Sequence, residues 1–154
     1  MSRRLVGPAA LLAAACGTAV APEPTGDYTS WPVRLETYGP APGHGDTYRV
    51  IYANDVAAIS PPGDYGPLAD AGMTAVVVKE VRDNVNNTPG PLRYLAIMRK
   101  QAGTDGDPTQ GLWLFTRAET PGGAEVQHDF CWDRCHVSAP LFGVWLDYSA
   151  STTQ

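Results

Sequence analysis

The stretch that decides the fold is Met73-Thr74-Ala75-Val76-Val77-Val78-Lys79-Glu80-Val81. Its β-branched residues favour a strand, and successive side chains of a strand point to opposite faces of a sheet. One face then carries Ala75, Val77, Lys79 and Val81, and the other carries Thr74, Val76, Val78 and Glu80. We therefore expect a strand on which Lys79 shares a face with apolar neighbours.

Further segments on both sides of this stretch also predict strands, because β-branched and aromatic residues are enriched in them. These strands lie at residues 48–52, 92–99 and 112–117, and the connections before the last two lie at 83–91 and 101–110. Neighbouring strands joined by such loops usually pair antiparallel. Between the first two strands, Asn54-Asp55 predicts the cap of a short helix through Ile59, which Pro61-Pro62-Gly63 would end.

The composition agrees with a small β-rich domain. Sixteen Gly and fourteen Pro among 154 residues interrupt the chain too often for long helices. We predict an α+β fold, mainly β, with an antiparallel sheet and a few short helices. The net charge of −5 argues against a nucleic-acid binder that tracks phosphates. No apolar run approaches the roughly 18 residues that a membrane-spanning helix needs.

The first residues have the pattern of an export signal. A basic start at Arg3-Arg4 precedes an apolar segment that ends in Ala13-Ala14-Ala15-Cys16. Small residues before Cys16 resemble a bacterial lipobox, and ordinary signal peptidase cleavage is the alternative. We expect a signal at residues 1–16, a flexible linker at 17–27 and the folded domain at 28–154. The protein would be exported to the periplasm, and acylation of Cys16 would attach it to a membrane.

The segment Cys131-Trp132-Asp133-Arg134-Cys135-His136 carries the chemistry. A cysteine followed directly by histidine is typical of c-type haem attachment, in which two thiols bind the haem vinyl groups and the histidine binds iron. Two alternatives remain open at this point. Cys131 and Cys135 could form a small-loop disulfide in an exported protein, or a zinc site could include a nitrogen from His128.

Residues 28–145 as a whole resemble the cytochrome P460 family, which includes the β-type cytochromes c′. The matching pieces occur in the order Tyr28-Thr29-Ser30-Trp31, Tyr48-Arg49-Val50-Ile51-Tyr52 with Asn54-Asp55, Val77-Val78-Lys79-Glu80-Val81, Ile97-Met98-Arg99-Lys100, Gly111-Leu112-Trp113, and Cys135-His136 with Trp145. The family normally has two residues between the cysteines, whereas this chain has three.

The resemblance implies an exported, mostly antiparallel β protein with one covalent haem c near the C-terminal segment. Cys131 and Cys135 would hold the porphyrin, and His136 would bind the iron. The position that matches the lysine cross-linked to haem in the P460 branch is Lys79. Desolvation on an apolar face would favour its neutral, nucleophilic amine; the alternative is a strand lysine whose ammonium reaches water. Homodimers are frequent in the family, so a homodimer is among the assemblies implied.

The functions that the resemblance implies differ in the groups that they need at the open face of the haem. Oxidation of hydroxylamine needs a carboxylate base, and the matching position falls at Leu95 or Ala96; Glu80 is an alternative source. An apolar wall favours a protein that binds or detoxifies nitric oxide or a related small nitrogen compound. The alternatives are a hydroxylamine oxidoreductase that passes electrons to a partner cytochrome, and a haem-free β scaffold with a disulfide. Whether the protein is an enzyme is left open.

The remaining aromatic residues and histidines have ordinary interpretations. We expect Trp31, Trp113 and Trp145 to pack in the core or against haem. Trp132 would stack on the porphyrin edge or face solvent. His44 and His128 are expected to be surface histidines, with a sixth iron ligand as the alternative.

Overall fold

The computed structural model describes residues 25–60, 74–101, 111–141 and 143–147. In this part of the chain, six antiparallel strands form one sheet in chain order. The strands are β1 (Val33–Ala41), β2 (Gly45–Ala53), β3 (Val76–Val85), β4 (Thr88–Lys100), β5 (Trp113–Ala118) and β6 (Val126–Gln127). The helices are α1 (Asp55–Ile59) and α2 (Phe130–Arg134), with 3₁₀ turns at Tyr28–Ser30 and His136–Ser138. The predicted α+β, mainly β class is confirmed.

The sheet has two faces with separate apolar clusters. Strand pairing aligns Ile51 with Lys79 and Lys79 with Ala96. We call this side the Lys79 face, and its cluster contains Ile51, Ala53, Ala57, Ala75, Val77, Met98, Trp113, Phe115 and Val144. We call the other side the Glu80 face, and its cluster contains Tyr28, Val78, Leu95, Ile97 and Ala118. The predicted alternation along the central strand is therefore confirmed.

The helix after β2 begins as its sequence predicts. Asn54 is the N-cap, and its side chain accepts a hydrogen bond from the Ala57 amide at 3.0 Å. The same oxygen accepts a bond from the Val76 amide at 3.1 Å, so the cap also fixes the start of β3. The predicted stop at residues 61–63 lies outside the described residues.

The prediction of a long connection at residues 83–91 is wrong. Strand β3 continues to Val85 and strand β4 begins at Thr88, so only Asn86 and Asn87 form the turn. Both have positive φ, 52° and 64°, the conformation that a tight hairpin requires and that asparagine tolerates. The Asn-Asn pair replaces a long loop with a two-residue turn, and β4 becomes longer than expected.

Two edge strands were not predicted, while the central strand begins later than expected. Strand β1 contains Gly39 and Pro40, which weaken its strand signal, and β6 has only two residues. The central strand begins at Val76 instead of Met73, which lies outside the described residues. The expected signal, Cys16 and most of the linker also lie outside them.

Candidate functional site

Lys79 lies partly buried near the middle of the sheet and contacts a histidine from another hairpin. Its Nζ is 3.1 Å from Nε2 of His44. The other ring nitrogen of His44, Nδ1, is 2.9 Å from the hydroxyl of Tyr94 on β4. A continuous chain of hydrogen bonds therefore joins Tyr94, His44 and Lys79.

His44 reaches this position because of the turn between β1 and β2. Gly43 and Gly45 on either side have φ of +75° and +69°, which glycine adopts without strain. The His44 amide donates to the Ala41 carbonyl at 3.1 Å and closes the turn. The expectation of an ordinary surface histidine is therefore wrong. The flanking glycines were the available signal, because they permit the turn that brings the ring to the sheet.

The electrostatics of this chain favour neutral side chains. Burial, and then the positive charge of Arg49, lower the pKa of Lys79 to about 8, although the neighbouring Cys131 and Cys135 oppose this shift. Burial, and then the charge of Lys79, lower the pKa of His44 to about 3, with smaller effects of Arg49 and His136. The imidazole is therefore neutral at physiological pH.

The two cysteines lie one helical turn apart. Cys131 belongs to α2, and the amide of Cys135 donates to the Cys131 carbonyl at the end of that helix. Residues separated by four positions share one side of a helix, so three intervening residues still bring the thiols to the same side. Both thiols are free and partly buried. Burial raises the pKa of Cys131, and Lys79 opposes that rise.

His136 begins the 3₁₀ turn directly after Cys135, and its ring is held by the backbone. Nδ1 lies 2.6 Å from the carbonyl oxygen of Gly143. Because a carbonyl only accepts hydrogen bonds, Nδ1 carries the proton, and Nε2 of the neutral ring keeps its lone pair. The ring packs 4.7 Å from that of Phe115, centroid to centroid. Burial lowers the pKa of His136, which favours the neutral form.

Trp132, between the cysteines, packs into the cluster of the Lys79 face, together with Cys131. A Cβ added to Gly143 would come within 2.8 Å of its ring, and one added to Gly111 within 2.8 Å as well. Trp132 is therefore an anchor of the cysteine segment, and the expectation of a solvent-facing side chain is wrong. Trp113 is buried as expected, whereas Trp145 is 52% exposed.

The residues considered for the open face of the haem lie on different faces of the sheet. Leu95 is fully buried in the cluster of the Glu80 face, and Ala96 lies opposite Lys79. Glu80 points away from Lys79, accepts a hydrogen bond from the Tyr28 hydroxyl at 2.7 Å and pairs with Arg82 at 2.6 Å. Glu80 is therefore engaged by Tyr28 and Arg82 on the face of the sheet opposite to Lys79.

His128 precedes the cysteine segment, and its carbonyl accepts a hydrogen bond from the Cys131 amide at 3.1 Å. It lines a cavity of about 260 Å³ with Arg117, Glu119, Ala124 and Val126. Among the described residues, no group of three or more histidine, cysteine or acidic side chains is arranged to hold a metal ion. None of the helices described is long and apolar enough to cross a membrane.

No protein-family model matches this chain, and no curated protein matches it either. Its site must therefore be interpreted from its own geometry. Four of the residues singled out in the sequence, Lys79, Cys131, Cys135 and His136, lie near one another on the Lys79 face. His44, Tyr94 and Arg49 join them, and Cys16 lies outside the described residues.

Proposed function

We propose that the protein is an exported, mono-haem c-type cytochrome of the P460 kind that binds or detoxifies nitric oxide or a related small nitrogen compound. The observation that supports this proposal is the convergence of Lys79 on β3 with the Cys131, Cys135 and His136 segment. These residues are more than 50 positions apart in the chain, yet Lys79 influences the pKa of both Cys131 and His136.

The donor groups of the cysteine segment fit haem c. Cys131 and Cys135 would form the two thioethers from one side of a helical turn. His136 would bind iron through Nε2, because the hydrogen bond to Gly143 fixes the ring and places the proton on Nδ1. Bound there, the haem would supply an iron with one position open to a small ligand.

The surroundings favour ligand binding over proton-coupled oxidation. Ala96 provides an apolar surface beside Lys79, and Glu80 lies on the opposite face. A diatomic molecule such as nitric oxide binds without needing a carboxylate base. The second candidate is hydroxylamine oxidation with electron transfer to a partner cytochrome. One observation favours it, namely the Lys79 amine whose pKa is lowered to about 8.

The test is a pyridine haemochrome assay on protein exported from cells that contain haem-attachment machinery. We expect one covalent haem per chain, and Cys135→Ser or Cys131→Ser should lower haem retention through denaturation and organic extraction. Ser138→Ala is the control, because it removes an exposed hydroxyl of the same segment and leaves both thiols and His136 in place. A colourless wild-type protein with a Cys131–Cys135 disulfide in its peptides would overturn the proposal and support the haem-free scaffold.

Lys79→Met separates the two candidates. If the protein binds nitric oxide, the variant should keep its haem and its ligand-induced spectral change. If it oxidises hydroxylamine through a cross-linked haem, the variant should lose a red-shifted Soret band together with the oxidation. Retention of oxidation in Lys79→Met would exclude a role for this lysine.

A further inference from the structure

The hydrogen-bond chain of Tyr94, His44 and Lys79 has no part in haem attachment as proposed above. Its three side chains come from β4, from the β1–β2 turn and from β3. The Nζ to Nε2 distance is 3.1 Å, and the Nδ1 to hydroxyl distance is 2.9 Å. Both ring nitrogens of His44 are therefore engaged, one by the amine and one by the phenol.

A neutral imidazole offers one donor and one acceptor, so this chain has two arrangements. In the first, the Tyr94 hydroxyl donates to Nδ1, and Nε2 donates to the lone pair of a neutral Lys79 amine. In the second, Nζ donates to Nε2, and Nδ1 donates to the Tyr94 oxygen. When Nζ carries an extra proton, passage from the second arrangement to the first moves that proton to Nε2 and the Nδ1 proton to Tyr94, which releases its own hydroxyl proton to water. No charged imidazole is needed as a stable state.

The charged groups around the amine also favour its neutral form. Arg49 lies close to Lys79, and its guanidinium donates to the carbonyl oxygens of Gly39 and Thr47. Among the described residues, Cys131 and Cys135 also affect Lys79 electrostatically, and His136 affects His44. Within the described residues, the contact of Nζ is with the neutral ring of His44. In the part of the chain that the structure describes, the amine therefore has no carboxylate partner that would keep it charged.

Tyr94 is itself fixed on its other side. The guanidinium of Arg117 lies 4.1 Å from the centre of the Tyr94 ring, and Arg117 is paired with Glu119 at 2.9 Å. A cation on the face of the phenol ring attracts it electrostatically. The phenol therefore has a defined position from which it can orient His44.

We propose that His44 and Tyr94 are positioning residues that hold the Lys79 amine and receive its proton when the amine attacks the carbonyl carbon of an activated ester or thioester. The nitrogen lone pair forms the new N–C bond, the bond from that carbon to the ester oxygen or thioester sulfur breaks, and the alkoxide or thiolate leaves with the electrons of that bond. The nitrogen proton passes to Nε2 of His44, the Nδ1 proton passes to Tyr94, and the Tyr94 proton passes to water. The inference goes beyond the proposed function and does not require haem.

The test uses acylation, which needs no haem. Lys79 and Lys100 are the two lysines of the chain, and Lys100 donates to the Gly111 carbonyl at 2.8 Å. The full chain is treated briefly with N-hydroxysuccinimidyl acetate at one neutral pH, then denatured and fully labelled with the deuterated reagent. Mass spectrometry gives the acylated fraction of each lysine, and a group already bound to Lys79 is counted as reacted.

We expect His44→Ala to lower the rate at which Lys79 is acylated, relative to Lys100, by about 100-fold, the lower end of the range typical of proton-transfer assistance. Added imidazole should restore it. Tyr94→Phe should have a smaller effect in the same direction, and the control variant His128→Gln should have none. A purely structural role would not give rescue by imidazole.

An unchanged or raised Lys79 fraction in folded His44→Ala would overturn the inference, because His44 would then be a bystander or a shield. If His44→Ala does not fold, as shown by circular dichroism, the decision passes to Tyr94→Phe, which removes a single oxygen. The two proposals fail separately. A colourless protein whose Lys79 labelling depends on His44 would refute haem binding and support the role of His44 and Tyr94. A protein with covalent haem whose Lys79 labelling does not depend on His44 would support haem binding and refute that role.

Discussion

The charged side chains on the two faces of the sheet have different kinds of hydrogen-bond partner. On the Glu80 face, Glu125 accepts hydrogen bonds from Arg99, from Thr116 and from both the amide and the hydroxyl of Thr25. Glu80 likewise has Tyr28 and Arg82 as partners. On the Lys79 face, Lys79 contacts neutral His44, and Arg49 donates to neutral oxygens.

This difference distinguishes a charge that stabilises the fold from one that serves chemistry. A buried ion pair with all its hydrogen bonds satisfied is costly to break. A buried cation next to neutral groups and other cations is held at a cost in stability, and its proton is released more readily. Such perturbed groups concentrate at functional sites, so the comparison supports the Lys79 face as the site.

The largest effect should come from breaking the paired network. Glu125→Ala leaves Arg99 without its main partner, and it should lower the free energy of unfolding by about 3–5 kcal/mol. Urea denaturation measures this loss. Glu119→Ala, which breaks an exposed pair with Arg117, is the control and should cost less than about 1 kcal/mol.

The same network predicts a dependence on pH. Burial would raise the pKa of Glu125, but hydrogen bonds from Arg99 and Thr116 outweigh it, and the folded-state pKa is lowered from 4.5. Its stabilisation is thus complete above pH 4.5 and is lost as the pH falls through the lowered pKa. The gap between wild type and Glu125→Ala should shrink on acidification, and a constant gap would contradict the role of the carboxylate charge.

Gly143→Ala tests the packing that holds the cysteine segment. Its Cβ would come within 2.8 Å of Trp132 and 2.9 Å of Trp113, at a φ of +90°. Overpacking and strain together should cost about 2–4 kcal/mol in unfolding free energy. Gly122→Ala is a matched control with a φ of +68° and open space. Equal losses in the two variants would show that packing on Trp132 is not tight.

Lys79→Met tests whether the site cation costs stability. Its pKa is about 8 in the folded state against 10.5 for the free side chain, so the unfolded chain binds more protons between these values. The stability of haem-free wild type should therefore rise with pH across this window relative to Lys79→Met, by up to about 3 kcal/mol. Urea titrations across the window measure it, and parallel curves would mean that Lys79 is well solvated.

Ala96→Glu should give Lys79 a carboxylate partner, such as Arg82 and Arg99 have on the Glu80 face. Ala96 lies directly opposite Lys79 across the β3–β4 pair. A carboxylate there should raise the pKa of Lys79 from about 8 toward 10.5. The effect would be seen as slower acylation at neutral pH, with Ala96→Gln as the control. Equal rates in the two variants would place the carboxylate out of reach.

Local sequence was sufficient for the middle of the sheet. The alternation around Lys79 and the cap at Asn54 were correct because they depend on contacts between near neighbours in the chain. The connection at 83–91 was missed because composition alone does not reveal that Asn86 and Asn87 both adopt positive φ. The edge strand β1 was missed because pairing with β2, more than its own residues, holds it extended.

The candidate site was only partly visible in the sequence. Cys131, Cys135 and His136 were singled out because the proposed haem attachment uses residues close together in the chain, and Lys79 was singled out because it interrupts an apolar face. Tyr94 was not assigned to the site, and His44 was considered only as an alternative iron ligand. Nothing local relates a histidine between two glycines to a tyrosine 50 positions later.

The sequence by itself determined which side chains share a strand face and which thiols precede a histidine, because both follow from spacing along the chain. Only the tertiary structure decided that His44 contacts Lys79, that Glu80 pairs with Tyr28 on the far face, and that Trp132 is an anchor. These outcomes depend on how strands align and on which groups find hydrogen-bond partners once water is excluded.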